Sequence, residues 1–155
     1  MKEIVLKLIT LKKTIALMES CTGGYIVNQI TNIEDSSKVL KFSAVTYSND
    51  FKVKMGVEKD TIDQYSVYSM EVARSMAKAI SAFAKSDYGI GITGKLNKVD
   101  EANPFGKDNE VFFCLYDQKQ DQYYEQRIYV QHSTREENKK QVFEAITCLL
   151  RKIIL

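Results

Sequence analysis

Residues 14–33 read TIALMESCTGGYIVNQITNI, and this stretch decides the fold. Thr14 to Met18 is a short apolar run, which is typical of a buried strand. Small polar residues and two glycines interrupt the run at Glu19–Gly24. Helical spacing then resumes, with apolar residues at Ile26, Val27, Ile30 and Ile33. The stretch therefore predicts a strand, a polar glycine turn and a helix.

Helices and strands alternate around this stretch. The first dozen residues predict an amphipathic helix, because their apolar residues recur at helical spacing. Lys41–Ser48 is rich in Phe, Val, Thr and Tyr and predicts a second strand. A short helix capped by Asn49 and ending at Gly56 should follow, and then another near Asp60–Gln64. Ser69 is predicted to cap the clearest helix, whose apolar residues are Val72, Ala73, Met76, Ala79, Ile80 and Phe83.

The second half of the chain adds a hairpin. Tyr88–Thr93 predicts a strand, and Lys95–Glu110 is a polar loop long enough to be functional or mobile. Val111–Tyr116 and Tyr123–Val130 predict two strands of an antiparallel hairpin, and a stripe over 142–153 predicts a last helix. We therefore expect an α/β fold, a three-layer α/β/α sandwich with a mixed β-sheet and a late antiparallel hairpin.

Composition and charge narrow the class of protein. The 155 residues are 45% hydrophobic and 27% charged, which is typical of one globular domain spanning 1–155. The 22 basic and 20 acidic side chains are interleaved, so direct nucleic-acid binding is not expected. Three scattered cysteines favour a reducing, cytoplasmic location over disulfides or zinc. No apolar run long enough for a membrane span or a signal peptide is present.

The glycine turn is the first candidate site. It places Ser20, Thr22, Gly23 and Gly24 at the N-terminus of a helix, where unpaired backbone N–H groups favour an anion or a carbonyl oxygen. Glu19 supports a functional interpretation of the turn. A carboxylate at the end of an apolar strand costs free energy unless it is paired or takes part in function. A simple helix cap with a tight turn is equally compatible with these residues.

The residues of a second candidate site lie within sixteen positions of one another in the sequence. Ser36 and Ser37 offer hydroxyls, which become nucleophilic when a base removes the proton. Lys52 could be that base if burial lowered its pKa, and Tyr47 could relay a proton. The alternative is a surface serine, a core tyrosine and a solvated lysine.

One apparent motif is misleading. Residues 89–95 read GIGITGK and match the spacing of a phosphate-binding loop. The next residue is Leu96, where such a loop needs Ser or Thr to hold magnesium, and no helix is predicted after it. We therefore expect no nucleoside-triphosphate site there.

Four segments, in this order and at these separations, resemble the CinA C-terminal family. They are MESCTGGYIVNQIT at 18–31, SSKVLKFSAVTYSNDFKVKMGV at 36–57, SVYSMEVARSMA at 66–77 and YGIGITG at 88–94. The resemblance implies hydrolysis of the carboxamide of nicotinamide mononucleotide, giving nicotinate mononucleotide and ammonia. It implies no metal and no cofactor, a pyridine nucleotide as substrate, and a homo-oligomer.

The resemblance also implies roles for individual residues. The catalytic set would be Ser37, Tyr47 and Lys52, with Ser37 as nucleophile and Lys52 as base. The expected substrate-binding residues are Glu19, Ser20, Thr22, Gly23, Gly24, Asn49, Thr93 and Gly94.

Two departures from the family pattern keep an alternative open. Asp35 stands where the family has glycine before the two serines, and the glycine-rich loop after Gly94 is replaced by Lys95–Asp100. A catalytically impaired nucleotide-binding or regulatory module of the same fold is therefore the second reading. A third reading, an accessory protein in DNA uptake or damage response, rests on the family's name alone, and the balanced charge disfavours it.

Overall fold

The structure is a computed structural model that describes residues 1–155, and a five-stranded sheet lies at its centre. The strands are β1 (Ile15–Glu19), β2 (Leu40–Val45), β3 (Tyr88–Gly94), β4 (Glu110–Asp117) and β5 (Gln122–Tyr129). The α-helices are α1 (Lys2–Leu11), α2 (Tyr25–Thr31), α3 (Asn49–Lys54), α4 (Lys59–Tyr65), α5 (Met70–Ala84) and α6 (Arg135–Ile154). A short 3-10 helix spans Ser36–Lys38.

The sheet is mixed, with the strand order β2-β1-β3-β4-β5. β1 pairs in parallel with β2 on one side and with β3 on the other, whereas β4 runs antiparallel to both β3 and β5. The predicted α/β class and the late hairpin are therefore confirmed. Because the chain leaves β1 for β2 on one side and returns to β3 on the other, the order reverses beside β1. Open α/β sheets bind ligands at the carboxyl ends of their strands at such a reversal.

Strand alternation divides the core between two faces. In β1, Ile15 and Leu17 pack on one face with α1, α2 and α6, while Ala16 and Met18 pack on the other face with α5. β4 alternates in the same way, because successive side chains of a strand point to opposite faces. Its residues Val111, Phe113 and Leu115 lie on the first face, and Phe112, Cys114 and Tyr116 on the second. Helices thus cover both faces of the sheet.

The glycines of β3 set the distance between α5 and the sheet. A Cβ at Gly91 would lie 2.2 Å from the carbonyl oxygen of Ala73 and 2.6 Å from the backbone nitrogen of Ala77. A Cβ at Gly89 would lie 2.0 Å from the carbonyl oxygen of Ala77. These glycines, which belong to the misleading GIGITGK motif, therefore allow helix packing.

Gly91→Ala is expected to destabilise the fold by about 3 kcal/mol, because the added methyl group overlaps backbone atoms that cannot move independently of α5. Gly106→Ala is the matched control. The nearest atom there is 3.6 Å away, so only the positive φ of 78° opposes alanine, at about 1 kcal/mol. Urea unfolding of both variants measures the difference, and equal costs would contradict the packing role of Gly91.

Local differences from the predicted elements occur near the end of β2. The strand ends at Val45 and not at Ser48. The cap of α3 is Ser48 and not Asn49, because Ser48 is extended and its hydroxyl accepts a hydrogen bond from the backbone N–H of Phe51. Ser69 caps α5 as predicted, by accepting from the N–H of Val72.

None of the helices combines the length and the apolar character that crossing a bilayer requires.

Candidate functional site

A cleft lies where the strand order reverses, beyond the carboxyl ends of β1 and β3. It encloses about 490 Å³ and is lined by residues from five parts of the chain. These residues are Ser20 and Cys21 after β1; Tyr47, Ser48, Asn49, Asp50 and Lys52 around α3; Val67 and Tyr68 before α5; Gly94 at the end of β3 and Lys95, Leu96, Lys98, Val99, Asp100 and Asn103 after it; and Arg135 at the start of α6.

Ser20 and Lys52 meet inside this cleft. Lys52 is 1% exposed, and its Nζ lies 3.1 Å from the Ser20 Oγ and 2.8 Å from the carbonyl oxygen of Thr46. The backbone N–H of Thr46 in turn donates to the carbonyl oxygen of Glu19. The ends of β1 and β2 therefore fix the lysine and the serine relative to each other, across 32 residues of sequence.

The surroundings of Lys52 make it easier to deprotonate. Burial lowers the pKa of Lys52 from 10.5 to about 8, since both of its hydrogen-bond acceptors are neutral oxygens and no longer offer the stabilisation of bulk water. Charged Lys52 donates to Ser20, whereas neutral Lys52 has a lone pair that can accept the serine proton. The pair has the donor and acceptor arrangement of a nucleophile and its base.

Glu19 holds the turn that carries Ser20. Its carboxylate is completely buried and accepts four hydrogen bonds at the start of α2. The donors are the Thr22 hydroxyl at 2.7 Å and the backbone N–H groups of Gly24 at 3.0 Å, Ile26 at 3.2 Å and Val27 at 2.8 Å. A negative charge at a helix N-terminus is favourable. The protein itself thus supplies the anion for this helix.

This geometry corrects the prediction that the glycine turn cradles the substrate. Glu19, Thr22, Gly23 and Gly24 do not line the cleft, and the N–H of Gly23 already donates to the Ser20 carbonyl oxygen. Their polar groups serve the turn because the buried carboxylate needs every donor within reach. The tight-turn alternative fits these four residues better.

Two backbone N–H groups of the turn, those of Cys21 and Thr22, have no acceptor within the chain. Cys21 lines the cleft and directly follows Ser20. An N–H directly after a nucleophile is a common donor to the oxyanion of a tetrahedral intermediate. The Cys21 thiol itself stays protonated, because burial and then the charge of Glu19 raise its pKa to about 12. The residue contributes its backbone and packs as a small hydrophobe.

Glu19→Gln is expected to destabilise the protein by about 3 kcal/mol, because the amide NH₂ would face backbone N–H donors at the start of α2. Urea unfolding measures the loss. Glu34→Gln, at an exposed position just after α2, should stay within about 0.5 kcal/mol of the wild-type protein. If both variants were equally stable, the buried hydrogen bonds of Glu19 would not stabilise the turn.

Ser37 is not brought to the cleft. It is exposed, lies in the 3-10 helix before β2, and makes no side-chain hydrogen bond, whereas Lys52 lies beyond the opposite end of that strand. The six residues of β2 span roughly 17 Å, too far for proton transfer. The predicted Ser37–Lys52 pair is therefore wrong on geometric grounds. The serine beside the lysine is Ser20.

The other predicted residues divide into two groups. Tyr47, Asn49 and Gly94 line the cleft, as do Ser20 and Lys52, and their contact with a substrate stays a prediction. Thr93 does not line it, because its buried hydroxyl donates to the carbonyl oxygen of Val67 at 2.8 Å. Tyr47 is 66% exposed, and its hydroxyl accepts from an Arg135 guanidinium nitrogen 3.3 Å away.

Several cleft residues were not found from the sequence. Tyr68 donates to the carboxylate of Asp100, and burial and this hydrogen bond raise the Tyr68 pKa. The Lys95 Nζ lies 3.1 Å from an Asp108 carboxylate oxygen and over the Tyr68 ring. Arg135 comes from α6, which follows Tyr47 by 88 residues, and no local pattern links them. Ser20 was predicted as a substrate-binding residue of the glycine turn and not as a nucleophile. The available signal for that role was its position between a buried carboxylate and a helix.

The fold and the cleft together define this chain as a doubly wound α/β protein with a buried serine–lysine pair at the reversal of strand order. The chain belongs to the CinA C-terminal domain family, whose model matches residues 1–154. The predicted family is therefore confirmed.

Relatives of known name are similar over part of their length. A putative competence-damage inducible protein of Caldanaerobacter subterraneus subsp. tengcongensis is 45% identical over 96 residues, covering 61% of this chain and 23% of that protein. A CinA-like protein of Thermosipho melanesiensis is 33% identical over 148 residues, covering 92% of this chain and 35% of that protein. The chain thus spans about a quarter to a third of the length of these relatives.

Solved structures share the fold. A competence-damaged protein (CinA) superfamily protein of Escherichia coli superposes with a TM-score of 0.86 at 23% identity, covering 98% of this chain and 87% of that one. The competence/damage inducible protein CihA of Agrobacterium tumefaciens superposes with a TM-score of 0.79 at 24% identity, covering 96% and 94%. At this level of identity the match concerns the fold alone.

Proposed function

We propose that this chain is a serine amidohydrolase in which Ser20 is the nucleophile and Lys52 is the general base. The observation that carries the proposal is the 3.1 Å contact between the Ser20 Oγ and the Nζ of a buried lysine whose pKa is lowered to about 8. Burial alone is a structural feature, but a buried lysine hydrogen-bonded to a cleft serine is the arrangement that serine–lysine catalysis needs.

The proposed reaction follows from this geometry. Neutral Lys52 takes the Ser20 proton as the Oγ attacks the amide carbon, and the Cys21 N–H donates to the oxyanion. Lys52, now charged, gives its proton to the departing ammonia and leaves an acyl-enzyme ester on Ser20. A water molecule then attacks the ester, Lys52 again takes a proton, and the carboxylate product leaves as Ser20 recovers its hydroxyl.

We propose nicotinamide mononucleotide as the substrate, hydrolysed to nicotinate mononucleotide and ammonia. The family motifs that contain Ser20, Tyr47 and Lys52 support this choice. So do two cations of the cleft, because Lys98 and Arg135 line it together with Asp50 and Asp100, and neither cation is paired with a carboxylate. These cations can attract a phosphate group. Tyr47, hydrogen-bonded to Arg135, is then placed to orient the substrate.

Ammonia release from nicotinamide mononucleotide tests the proposal directly. The purified chain should release ammonia and nicotinate mononucleotide in equal amounts. Benzamide serves as the control, because it carries a carboxamide on an aromatic ring but lacks the phosphate, and should react far more slowly. Absence of ammonia from the mononucleotide would reject the amidase.

A non-catalytic nucleotide-binding module is the second candidate, and the loop after β3 favours it. Lys95 and Leu96 are buried there, and Lys95 is paired with Asp108, so the loop occupies space beside the cleft with large side chains. Thermal shift with nicotinamide and nicotinate mononucleotides separates the two candidates. Stabilisation by both nucleotides without ammonia release indicates the binding module.

A further inference from the structure

A second cavity adjoins the candidate active site. It encloses about 360 Å³ between the C-terminal part of α4 and the loop after β3. Asn49, Val67 and Asn103 line both this cavity and the larger cleft, so the two spaces share a wall. A ligand long enough to cross these three residues from beside Ser20 would reach the second cavity. The other residues that line this cavity are Ile62, Asp63, Gln64, Tyr65, Ser66, Ala102 and Phe105.

The lining of the second cavity suits a flat aromatic ring. Tyr65 is 46% exposed and Phe105 is 71% exposed, which leaves two large aromatic faces open to solvent at one place. Stacking of a nucleobase on such a side chain is favourable for every base, because each has a π-face. The side-chain amides of Gln64 and Asn49 make no hydrogen bond within the chain, so they can donate to and accept from a base edge.

The cations of the larger cleft match more than one phosphate. Lys98 and Arg135 both line the cleft, and neither pairs with a carboxylate. Lys95 differs from them, since Asp108 already neutralises its charge. Two unpaired cations in the cleft that shares a wall with the aromatic cavity can bind the two phosphates of a diphosphate that joins two nucleosides.

We propose that the second cavity binds the distal nucleobase of a pyridine dinucleotide, so that the substrate class of this site includes dinucleotide amides. The proposal rests on the proposed amidase function, in that the nicotinamide end would lie beside Ser20. Base stacking on Tyr65 and Phe105 then adds affinity that a mononucleotide cannot gain.

Binding to Ser20→Ala protein, which prevents turnover, tests this inference. Calorimetric titration compares nicotinamide adenine dinucleotide with nicotinamide mononucleotide. We expect the dinucleotide to bind roughly tenfold more tightly, which is the factor that stacking of one base supplies. Adding Tyr65→Ala and Phe105→Ala should remove that preference and change mononucleotide affinity by less than about twofold. Phe83→Ala, which truncates a 60% exposed aromatic residue on α5 that lines neither cavity, is the control and should change neither affinity.

Equal affinity of the two nucleotides overturns the inference, as does a uniform loss of both affinities in the Tyr65 and Phe105 variant. The ammonia assay on wild-type protein keeps the two proposals separable. Suppose that ammonia is released from the mononucleotide but the dinucleotide does not bind more tightly through Tyr65 and Phe105. This result supports the amidase and rejects nucleobase binding in the second cavity. If the dinucleotide binds more tightly through these two residues but no ammonia is released, nucleobase binding is supported and the amidase is rejected.

Discussion

Ser20→Ala should lower amide hydrolysis by a factor of about 10⁴ to 10⁶, because it removes the atom that forms the covalent bond to the substrate. Steady-state ammonia release measures the loss as kcat/KM. Binding of nicotinate mononucleotide should be nearly unchanged, since alanine leaves the backbone N–H of Cys21 and the cations of the cleft in place. The substitution should therefore slow the chemical step and leave the affinity for the nucleotide unchanged.

Ser37→Ala provides the matched control for this prediction. Ser37 is an exposed serine outside the cleft, so the same substitution there should leave kcat/KM within about twofold of the wild type. The opposite outcome, activity lost at Ser37 and kept at Ser20, would restore the pairing predicted from the sequence and reject the geometry described above.

Lys52→Met should lower kcat/KM by about 10² to 10⁴, the usual contribution of a general base. Methionine is apolar and similar in length, so it fills the buried site while it removes the base. Lys52→Arg is the informative companion, because arginine keeps the charge but does not lose its proton. Both variants should lose activity to this extent, and an arginine variant with wild-type activity would show that charge and not proton transfer is what Lys52 supplies.

The pH dependence of the reaction follows from the same lysine. Only neutral Lys52 can take the Ser20 proton, and its pKa is lowered to about 8. Below that pH the neutral fraction falls tenfold per unit, so log kcat/KM should rise with unit slope from pH 6 to about 8 and then level off. A profile that is flat between pH 6 and 8 would contradict the role of Lys52 as base. Residual activity of Lys52→Met should lack this rise.

The fold was largely predictable because its signals are local. The apolar run before Glu19, the stripe of α5 and the hairpin strands each have a period that a short window of sequence reveals. The errors in the predicted element boundaries lie at the end of β2, where a difference of one residue changes which side chain caps α3. Ser48 and Asn49 are both good capping residues, and only the backbone conformation shows which one accepts the Phe51 N–H.

The site was less predictable because it depends on which end of each strand a residue occupies. Ser37 is closer to Lys52 in sequence than Ser20 is, yet β2 separates Ser37 from the lysine, while the parallel pairing of β1 with β2 brings Ser20 to it. Lys52 and Tyr47, which the motif predicted as site residues, both line the cleft. Arg135 and Asp100 reach it through tertiary structure, for which no local pattern exists.

The buried carboxylate of Glu19 has a consequence for how the protein would select substrates. Glu19 already accepts hydrogen bonds from the backbone N–H groups at the start of α2. The turn that carries Ser20 is therefore ordered without any ligand. The reaction centre is then preorganised, and induced fit at this turn is not required. Discrimination between substrates would then rest on the other parts of the cleft lining, among them the loop at 95–109. Variation of that loop can change what the protein accepts without rebuilding the serine and lysine.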